Sequence, residues 1–316
     1  MPVRRTLTAL YLALALFGLP QTAAALDGVN LVLSEEGGAY AQLAAQLRTA
    51  LAEGSTAKLM VREVGLTSLK QGEALPTEAG QIWVAIGSGA MQALAQRNPP
   101  QPILNVLVPH SAFDKIVRQG GRFGDPRRFS AIFLDQPWLR QFALIRLALP
   151  KRNRVGILLG ADSAELAPAL RAAAKAAGFN LITEKVETEA DLLPALKKLL
   201  AESEVILAVP DPAIYNRNTA QTILLTTYRH QTPLFGFSPS YVKAGALAAV
   251  YSLPEQIGRQ AAEAVRQAAE QRLPPPQTPR YFSVGVNLQV ARSLGLNVDD
   301  ETTLSNKLKA TAEVEP

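Results

Sequence analysis

The strongest constraint on the fold of this chain is a repeated alternation between short apolar runs and amphipathic helical segments. One clear cycle starts with an apolar run at residues 82–86, continues through Gly87-Ser88-Gly89 and enters a predicted helix at Ala90. Apolar residues three and four positions apart give such helices one buried face. Strands that are joined by helices form parallel sheets through right-handed crossovers. The alternation therefore predicts an α/β fold with parallel sheets.

The same alternation starts again near Val155, after a predicted strand at residues 131–134 and a helix that carries Trp138 and Phe142. The predicted strands are too many for one modest domain, and a chain of this size commonly forms more than one core. Two similar lobes, each a three-layer αβα arrangement, are the simplest solution. We therefore predict two lobes whose ligand-facing edges point at one another across a cleft.

Residues 1–25 have the pattern of a secretory signal peptide. Arg4 and Arg5 precede an apolar run over residues 7–19, and Ala23-Ala24-Ala25 offers a small-residue cleavage site. A retained membrane anchor is the alternative reading. However, the run is short for a span, and no later segment reaches the roughly 18 apolar residues that a spanning helix needs. The pattern therefore predicts an exported protein.

Cysteine is absent, which bears on how the exported chain is held. Without cysteine there is no N-terminal lipid anchor, and a chain of about 290 residues buries enough surface to fold without disulfides. The net charge of +5 falls to +3 without Arg4 and Arg5, and the basic residues are scattered, so we expect no nucleic-acid partner. We predict a freely diffusing periplasmic protein and expect a monomer.

Several segments carry a resemblance to a known family. They include RVGILLG at residues 154–160, AAKAAGFNL at 173–181, ILAVPDPAIYN at 206–216, PLFGFSPSYVKAGALAAVYS at 233–252 and PEQIGRQAAEAV at 254–265. In these segments the chain resembles the substrate-binding proteins of ABC transporters, and in particular the group similar to tryptophan- and phenylalanine-binding lipoproteins. The resemblance is strong from Ser130 to Leu296 and looser before it. The missing lipid-anchor cysteine is a departure from that group.

The resemblance implies a type I periplasmic-binding fold, in which two lobes are joined by three crossing segments. By analogy, the chain leaves the first lobe near Leu134, returns near Ala248 and crosses again near Arg280. The implied organisation is residues 26–134 with 248–279 for the first lobe, 135–247 with 280–298 for the second, and 299–316 for a polar C-terminal tail. Fold resemblance gives the class of protein, whereas the ligand depends on the site.

Ligands of open α/β sheets bind outside the carboxyl ends of the strands, so the residues that follow each strand are the candidates. In the first lobe these are Ser34 and Tyr40 after the first strand and Ser88 after the third. A solvated glycine turn is the alternative for the first loop, and an N-cap of the next helix is the alternative for Ser88. The neighbouring Glu35 and Glu36 favour an amine over an anion.

In the second lobe Asp211 is the best charged candidate, because amino-acid binders of the resembled fold pair the ligand's ammonium group with a carboxylate. A turn initiated by Asp211-Pro212 is the alternative. Aromatic residues after the same strand and the next one offer rigid apolar surface. Asp135 reads as a helix cap beside Pro137 and is also a candidate contact. The predicted ligand-binding residues are Ser34, Tyr40, Ser88, Asp135, Asp211, Tyr215, Phe237, Ser238 and Tyr241.

Other patterns argue against catalysis. His110 and His230 are the only histidines and lie far apart, so we predict no metal site and no cofactor. The segment at residues 236–240 lacks the final glycine of a nucleophile elbow. Ser252 with Glu255 resembles a capping box and is therefore predicted to be structural.

Together these observations predict a periplasmic solute-binding protein without enzymatic activity. It would capture a small metabolite, with an amino acid as one candidate, and deliver it to an ABC permease in the inner membrane. The alternative is a ligand-sensing protein that presents its closed state to a receptor or histidine kinase. Both functions need a cleft that closes around a ligand.

Overall fold

The computed structural model describes residues 26–53, 59–76, 78, 80–270 and 272–312. Within these residues the chain forms two sheets that are flanked by helices on both faces. The predicted signal peptide at residues 1–25 lies outside the described residues. None of the described helices is both long enough and apolar enough to cross a membrane.

The first lobe contains five parallel strands in the order β2-β1-β3-β4-β5. The strands are β1 (Gly28–Leu33), β2 (Met60–Glu63), β3 (Gln81–Ile86), β4 (Ile103–Val108) and β5 (Phe129–Phe133). The helices of this lobe are α1 (Gly38–Glu53), α2 (Leu66–Lys70), α3 (Ser88–Arg97), α4 (His110–Val117) and α10 (Pro254–Glu270). This is the parallel sheet that the alternation of strands and helices predicted.

Helices cover both faces of the first sheet, so its central strands are buried on both sides. All six residues of β1 are buried, and its side chains alternate between two hydrophobic cores. Leu31 packs with α1 and α10, whereas Val32 packs with α3 on the opposite face. A continuous apolar run is the usual sequence of such a strand.

The second lobe contains six strands in the order β11-β10-β9-β8-β6-β7. The strands are β6 (Arg154–Leu159), β7 (Asn180–Lys185), β8 (Val205–Leu207), β9 (Leu234–Gly236), β10 (Ala248–Tyr251) and β11 (Ser283–Val286). The helices are α5 (Trp138–Ala148), α6 (Ala167–Ala176), α7 (Leu192–Glu202), α8 (Ala220–Arg229), α9 (Pro239–Ala244), α11 (Leu288–Ser293) and α12 (Glu301–Ala312). The sheet is parallel except for β11, which runs antiparallel to β10.

The return to the first lobe occurs later than predicted. Residues 248–251 form β10, which pairs with β9 and β11 and therefore belongs to the second lobe. The short helix α9 leads directly from β9 to its neighbour β10, and this connection buries Ala248 and Ala249 inside the second lobe. The chain crosses back only at Ser252 and Leu253, before α10 packs on α1.

The predicted polar tail at residues 299–316 is also corrected. Most of it forms α12, in which Leu304 and Leu308 are 0% and 1% exposed and join the core of the second lobe. The Asp300 carboxylate accepts a hydrogen bond from the Thr303 N–H at 2.7 Å and so caps the start of this helix. Two leucines four positions apart are enough to bury one face of an otherwise polar helix.

The three crossing segments meet at the Ser252 hydroxyl. Gln136 Nε2, in the first crossing, donates to Ser252 Oγ at 2.8 Å, and Ser252 Oγ donates to the carbonyl oxygen of Tyr281, in the third crossing, at 2.6 Å. The capping box predicted for Ser252 and Glu255 is absent, because the Leu253 N–H donates to Gln256 Oε1 instead. Ser252 is structural, as predicted, but it joins crossings and does not cap a helix.

Candidate functional site

The carboxyl ends of both sheets point toward the crossing segments. The first lobe ends with β5 immediately before the first crossing, and β10 ends immediately before the second. The loops that follow the parallel strands therefore lie at the edges where the two lobes meet. Arg118 of the first lobe and Glu165 of the second face each other across this boundary, with 4.0 Å between Nη2 and Oε2.

Ser34, Tyr40 and Gly87 lie together at the ends of β1 and β3. A Cβ added to Gly87 would lie 2.5 Å from Tyr40 Cε1 and 2.6 Å from Ser34 Oγ, and Gly87 has a φ of +91°. Only glycine accommodates both the close contact and that backbone conformation. Two of the predicted ligand-binding residues are thus held against one turn of the backbone.

The start of α3 is capped by Ser34 and not by Ser88. Ser34 Oγ accepts a hydrogen bond from the Ala90 N–H at 2.9 Å, whereas Ser88 is the first residue of the helix, after Gly87 at the N-cap position. The alternative reading of Ser88 as an N-cap is therefore wrong. The cap comes from a residue 56 positions away, a contact that sequence spacing does not reveal.

Asp135 caps the helix before it in the chain, not the helix after it. Its Oδ2 accepts a hydrogen bond from the His110 N–H, the first residue of α4, at 2.6 Å, whereas α5 begins after Pro137 without a side-chain cap. The His110 ring meets the Phe133 ring edge-on at 4.5 Å, and its Nδ1 lies 3.4 Å from Asp114 Oδ2. His110 is not among the predicted ligand-binding residues, because its contacts with Asp135 and Phe133 join residues that are more than 20 positions apart.

Burial raises the pKa of the Asp135 carboxyl, and the hydrogen bond from His110 only partly opposes this shift. A half-buried carboxylate loses part of its hydration, so it gains more from a cationic partner than an exposed one does. Nearby, Leu107 has a φ of +57° at an irregularity in β4 between Val106 and Val108. Non-glycine residues in this conformation are strained and concentrate at functional sites.

Asp211 lies deep inside the second lobe. It is 1% exposed, and its Oδ2 accepts hydrogen bonds from Ser163 N at 3.0 Å and Ser163 Oγ at 2.7 Å. Its Oδ1 accepts from the Ala213 N–H at 2.9 Å. A Cβ at Gly160 would lie 2.7 Å from Oδ2, so the glycine makes room for the carboxylate. Asp211 thus joins the loops after β6 and β8, and Ser163 is its partner that sequence reasoning missed.

Tyr215, Phe237 and Tyr241 form an aromatic cluster after β8 and β9. Ring centroids are 6.0 Å apart for Tyr215 and Phe237, 6.1 Å for Tyr215 and Tyr241, and 4.6 Å for Phe237 and Tyr241. Tyr215 is 7% exposed, and its hydroxyl has no hydrogen-bond partner among the described residues. Burial raises the pKa of Tyr215 and raises that of Tyr241 to about 12, so both hydroxyls are neutral at physiological pH.

Ser238 begins α9 as its N-cap. Its Oγ accepts from the Tyr241 N–H at 3.4 Å, and Pro239 occupies the first turn, where a missing N–H costs nothing. The cap therefore places Tyr241 next to Phe237 in the aromatic cluster. A Cβ at Gly236 would lie 2.6 Å from Tyr241 Cβ, so this glycine is needed for the same approach.

A separate cavity of about 490 Å³ lies between α9, β11 and the start of α12, and it is lined by Lys243, Tyr251 and Glu301 among others. None of the nine predicted ligand-binding residues lines it. Among the described residues, no group of three or more His, Cys, Asp or Glu side chains is placed to hold a metal ion.

Comparison with known proteins gives a family and a fold. The model of the family described as ABC transporter substrate binding protein matches residues 71–308. No curated protein matches the chain.

Several solved structures match over most of their length. A ligand-free, open substrate binding protein with adhesive properties from Clostridium difficile has a TM-score of 0.68 at 14% identity, covering 86% of this chain and 96% of the other. An ABC domain in complex with L-Trp from Streptococcus pneumonia has a TM-score of 0.59 at 16% identity, covering 88% and 97%. A conserved domain protein from Vibrio cholerae has a TM-score of 0.59 at 22% identity, covering 89% and 98%. At these identities the likeness concerns the fold, and it confirms the predicted type I periplasmic-binding arrangement.

Proposed function

Because this chain belongs to the ABC transporter substrate-binding protein family, we propose that it captures a small metabolite between its lobes and delivers it to an ABC permease. The observation that supports the proposal is the hinge of three crossings that joins two α/β lobes, with the carboxyl ends of both sheets beside it. Transport proteins of this family bind solutes and are not enzymes.

Hinge closure follows from where the contacts are made. A ligand that touches only one lobe binds the open and closed forms equally and shifts nothing between them. A ligand that touches both lobes binds the closed form more tightly, so it favours closure. In this proposal Ser34, which follows β1 in the first lobe, and Phe237, which follows β9 in the second, make contacts of this kind.

The proposed contacts divide by chemistry. The first lobe supplies hydroxyl groups from Ser34, Tyr40 and Ser88, and the first crossing supplies the Asp135 carboxylate. The second lobe supplies the aromatic cluster, with Ser238 as the residue that positions Tyr241. Asp211 acts indirectly in this proposal, because its carboxylate already accepts three hydrogen bonds within its own lobe. Amino acids are among the solutes that such a combination suits.

We further propose that the protein works in the periplasm as a monomer, exported by the signal at residues 1–25. This rests on Arg4, Arg5, the apolar run that follows and the alanines at 23–25. Secretion of the full-length chain fused to a reporter that is active only outside the cytoplasm tests the export step. A reporter that stays inactive while the chain is made would refute it.

Thermal unfolding with a solute panel tests capture itself. A ligand that binds only the folded protein stabilises it by RT ln(1 + [L]/Kd), which is about 2.7 kcal/mol at a hundredfold excess over Kd. We expect one class of small solute to raise the unfolding temperature and to reduce the radius of gyration in X-ray scattering. A panel of amino acids, amines, sugars and organic acids that raises neither signal would contradict the proposal.

A further inference from the structure

The loops that follow the carboxyl ends of the strands are acidic, whereas the chain as a whole has a net positive charge. We call the residues between each strand end and the next α-helix the strand-end connections. Their only Lys or Arg is Arg217, in a chain whose net charge is +5. Their acidic residues are Glu35, Glu36, Asp135, Asp162, Glu165, Glu187, Glu189, Asp191 and Asp211.

The strand-end connections therefore carry a net negative charge at the edges where the lobes meet. Four of these carboxylates have other partners: Asp191 caps its own turn, Asp211 is buried with Ser163, Glu165 faces Arg118 and Asp135 caps α4. Glu35 and Glu36 remain exposed in the loop after β1. Clefts lined by one sign of charge concentrate ligands of the opposite sign.

Side chains already occupy part of the N–H groups at three helix starts. One first-turn N–H in each of α3, α4 and α9 donates to Ser34 Oγ, Asp135 Oδ2 and Ser238 Oγ, respectively. In many sites such N–H groups hold the anionic part of a ligand. Here each side-chain cap takes one N–H away from an anion, and the Asp135 cap also places a negative charge at the start of α4.

The aromatic cluster is an independent feature that suits a cation. The faces of tyrosine and phenylalanine rings attract ammonium groups, and the attraction grows when the pair is desolvated. Tyr215 is nine-tenths buried, and its hydroxyl oxygen can accept a hydrogen bond that no described residue donates. Aromatic faces suit ammonium and quaternary ammonium groups, so the fitting cation is organic.

We infer that the captured solute is an organic cation, an amine or quaternary ammonium compound without a strongly bound carboxylate. The inference rests on the proposed function and narrows its substrate class. The carboxylates of Glu35 and Glu36 in the first lobe and of Asp135 in the first crossing attract the charge, and the aromatic cluster of the second lobe packs on the body of the ligand. Both lobes then contact the solute, which closure requires.

Three matched pairs of solutes test this inference, because the members of each pair differ mainly by a carboxylate. They are putrescine and ornithine, choline and glycine betaine, and tryptamine and tryptophan. Titration calorimetry on the chain without residues 1–25 measures each affinity. We expect at least one pair to bind. In that pair the member without the carboxylate should bind at least tenfold more tightly, a difference of about 1.4 kcal/mol in binding free energy.

The possible outcomes separate the inference from the proposed function. If the carboxylate-bearing member binds equally or more tightly, capture stands and the cationic class is wrong. If a sugar or an organic acid binds and no amine does, capture again stands and the cationic class is again wrong. If nothing in this set or in the wider solute panel binds, both the inference and the proposed function fall.

Charge-removing variants test the residues themselves. Asp135→Asn keeps an oxygen that can accept from the His110 N–H, and the double variant Glu35→Gln/Glu36→Gln changes only exposed side chains. We expect each to weaken binding of the best amine by tenfold or more. Glu53→Gln, at the far end of α1, is the control and should leave binding unchanged. Equal affinities for all variants would overturn the inference.

Discussion

The two lobes use their charged residues in opposite ways. Asp135, in the first crossing, caps α4 of the first lobe; it is half-buried, makes one backbone hydrogen bond and has a raised pKa. In the second lobe Asp211 is buried and accepts three hydrogen bonds from Ser163 and Ala213. A carboxylate after a strand is therefore not by itself a ligand anchor. Its remaining hydrogen-bonding capacity and its access to the cleft decide that role.

Removing the two carboxylates separates their roles most clearly. Asp211→Ala leaves the Ser163 N–H and hydroxyl and the Ala213 N–H without an acceptor in a buried site. Each unpaired group costs about 1–3 kcal/mol, so we expect a loss of roughly 3 kcal/mol or more in the free energy of unfolding. Urea denaturation followed by circular dichroism measures this. Asp135→Ala, which frees a single N–H, should cost about 1 kcal/mol. Equal losses of stability in Asp211→Ala and Asp135→Ala would contradict the different structural roles assigned to these two carboxylates.

Substitution of Gly87, in the turn that contacts Ser34 and Tyr40, should cause the next largest loss of stability. In Gly87→Ala the new Cβ meets Tyr40 and Ser34 at a φ of +91°, where a side chain is strained. We expect a loss of about 2 kcal/mol in the free energy of unfolding, together with weaker ligand binding, because both side chains must move. Gly37→Ala is the matched control, since nothing lies within 4 Å of its added Cβ. The same cost at both glycines would show that Ser34 and Tyr40 are not held by this turn.

The pH dependence of the stability of Asp135→Asn tests the raised pKa of Asp135, and with it the role of this carboxyl in the comparison with Asp211. A carboxyl whose pKa is raised by folding binds its proton more tightly in the folded state, so its ionisation at neutral pH destabilises the fold. Asn removes this cost. We expect the variant to be more stable than the parent at neutral pH, with the difference disappearing as the pH falls below the ordinary Asp value of 3.8. Chemical denaturation at several pH values measures it, and a difference that grows toward low pH would contradict the assignment.

The sequence patterns predicted the fold well because periodicity is a local property. Apolar runs such as residues 82–86 are too short for typical helices and are flanked by helical segments, which favours buried strands, and this alternation predicted both sheets. Which sheet a strand joins depends on long-range pairing and not on the local sequence. By composition, Ala248–Tyr251 could be a strand of either lobe, and only its pairing with β9 and β11 assigns it to the second.

The site was harder to predict because its hydrogen bonds join distant residues. Ser34 and Ala90 are 56 positions apart, and Asp211 and Ser163 are 48 apart. A sequence can identify a polar residue after a strand, but not whether another loop already satisfies it. The aromatic cluster was predictable as a set of residue types, since Tyr215, Phe237 and Tyr241 follow neighbouring strands.

The smallest predicted effect concerns the ion pair that connects the lobes. Arg118 and Glu165 are 61% and 50% exposed, and exposed pairs contribute roughly 0.2–1 kcal/mol. If the pair forms only when the lobes approach, removing it shifts the balance toward separated lobes by at most about fivefold. Scattering from Arg118→Gln, Glu165→Gln and the double variant, each without ligand, measures this shift as a radius of gyration. We expect the two single variants and the double variant to agree with one another, and high salt to produce the same change in the parent because it screens exposed charges. Additive effects in the double variant would mean that each residue acts separately, and the lobes would then be coupled through the ligand and the crossings alone.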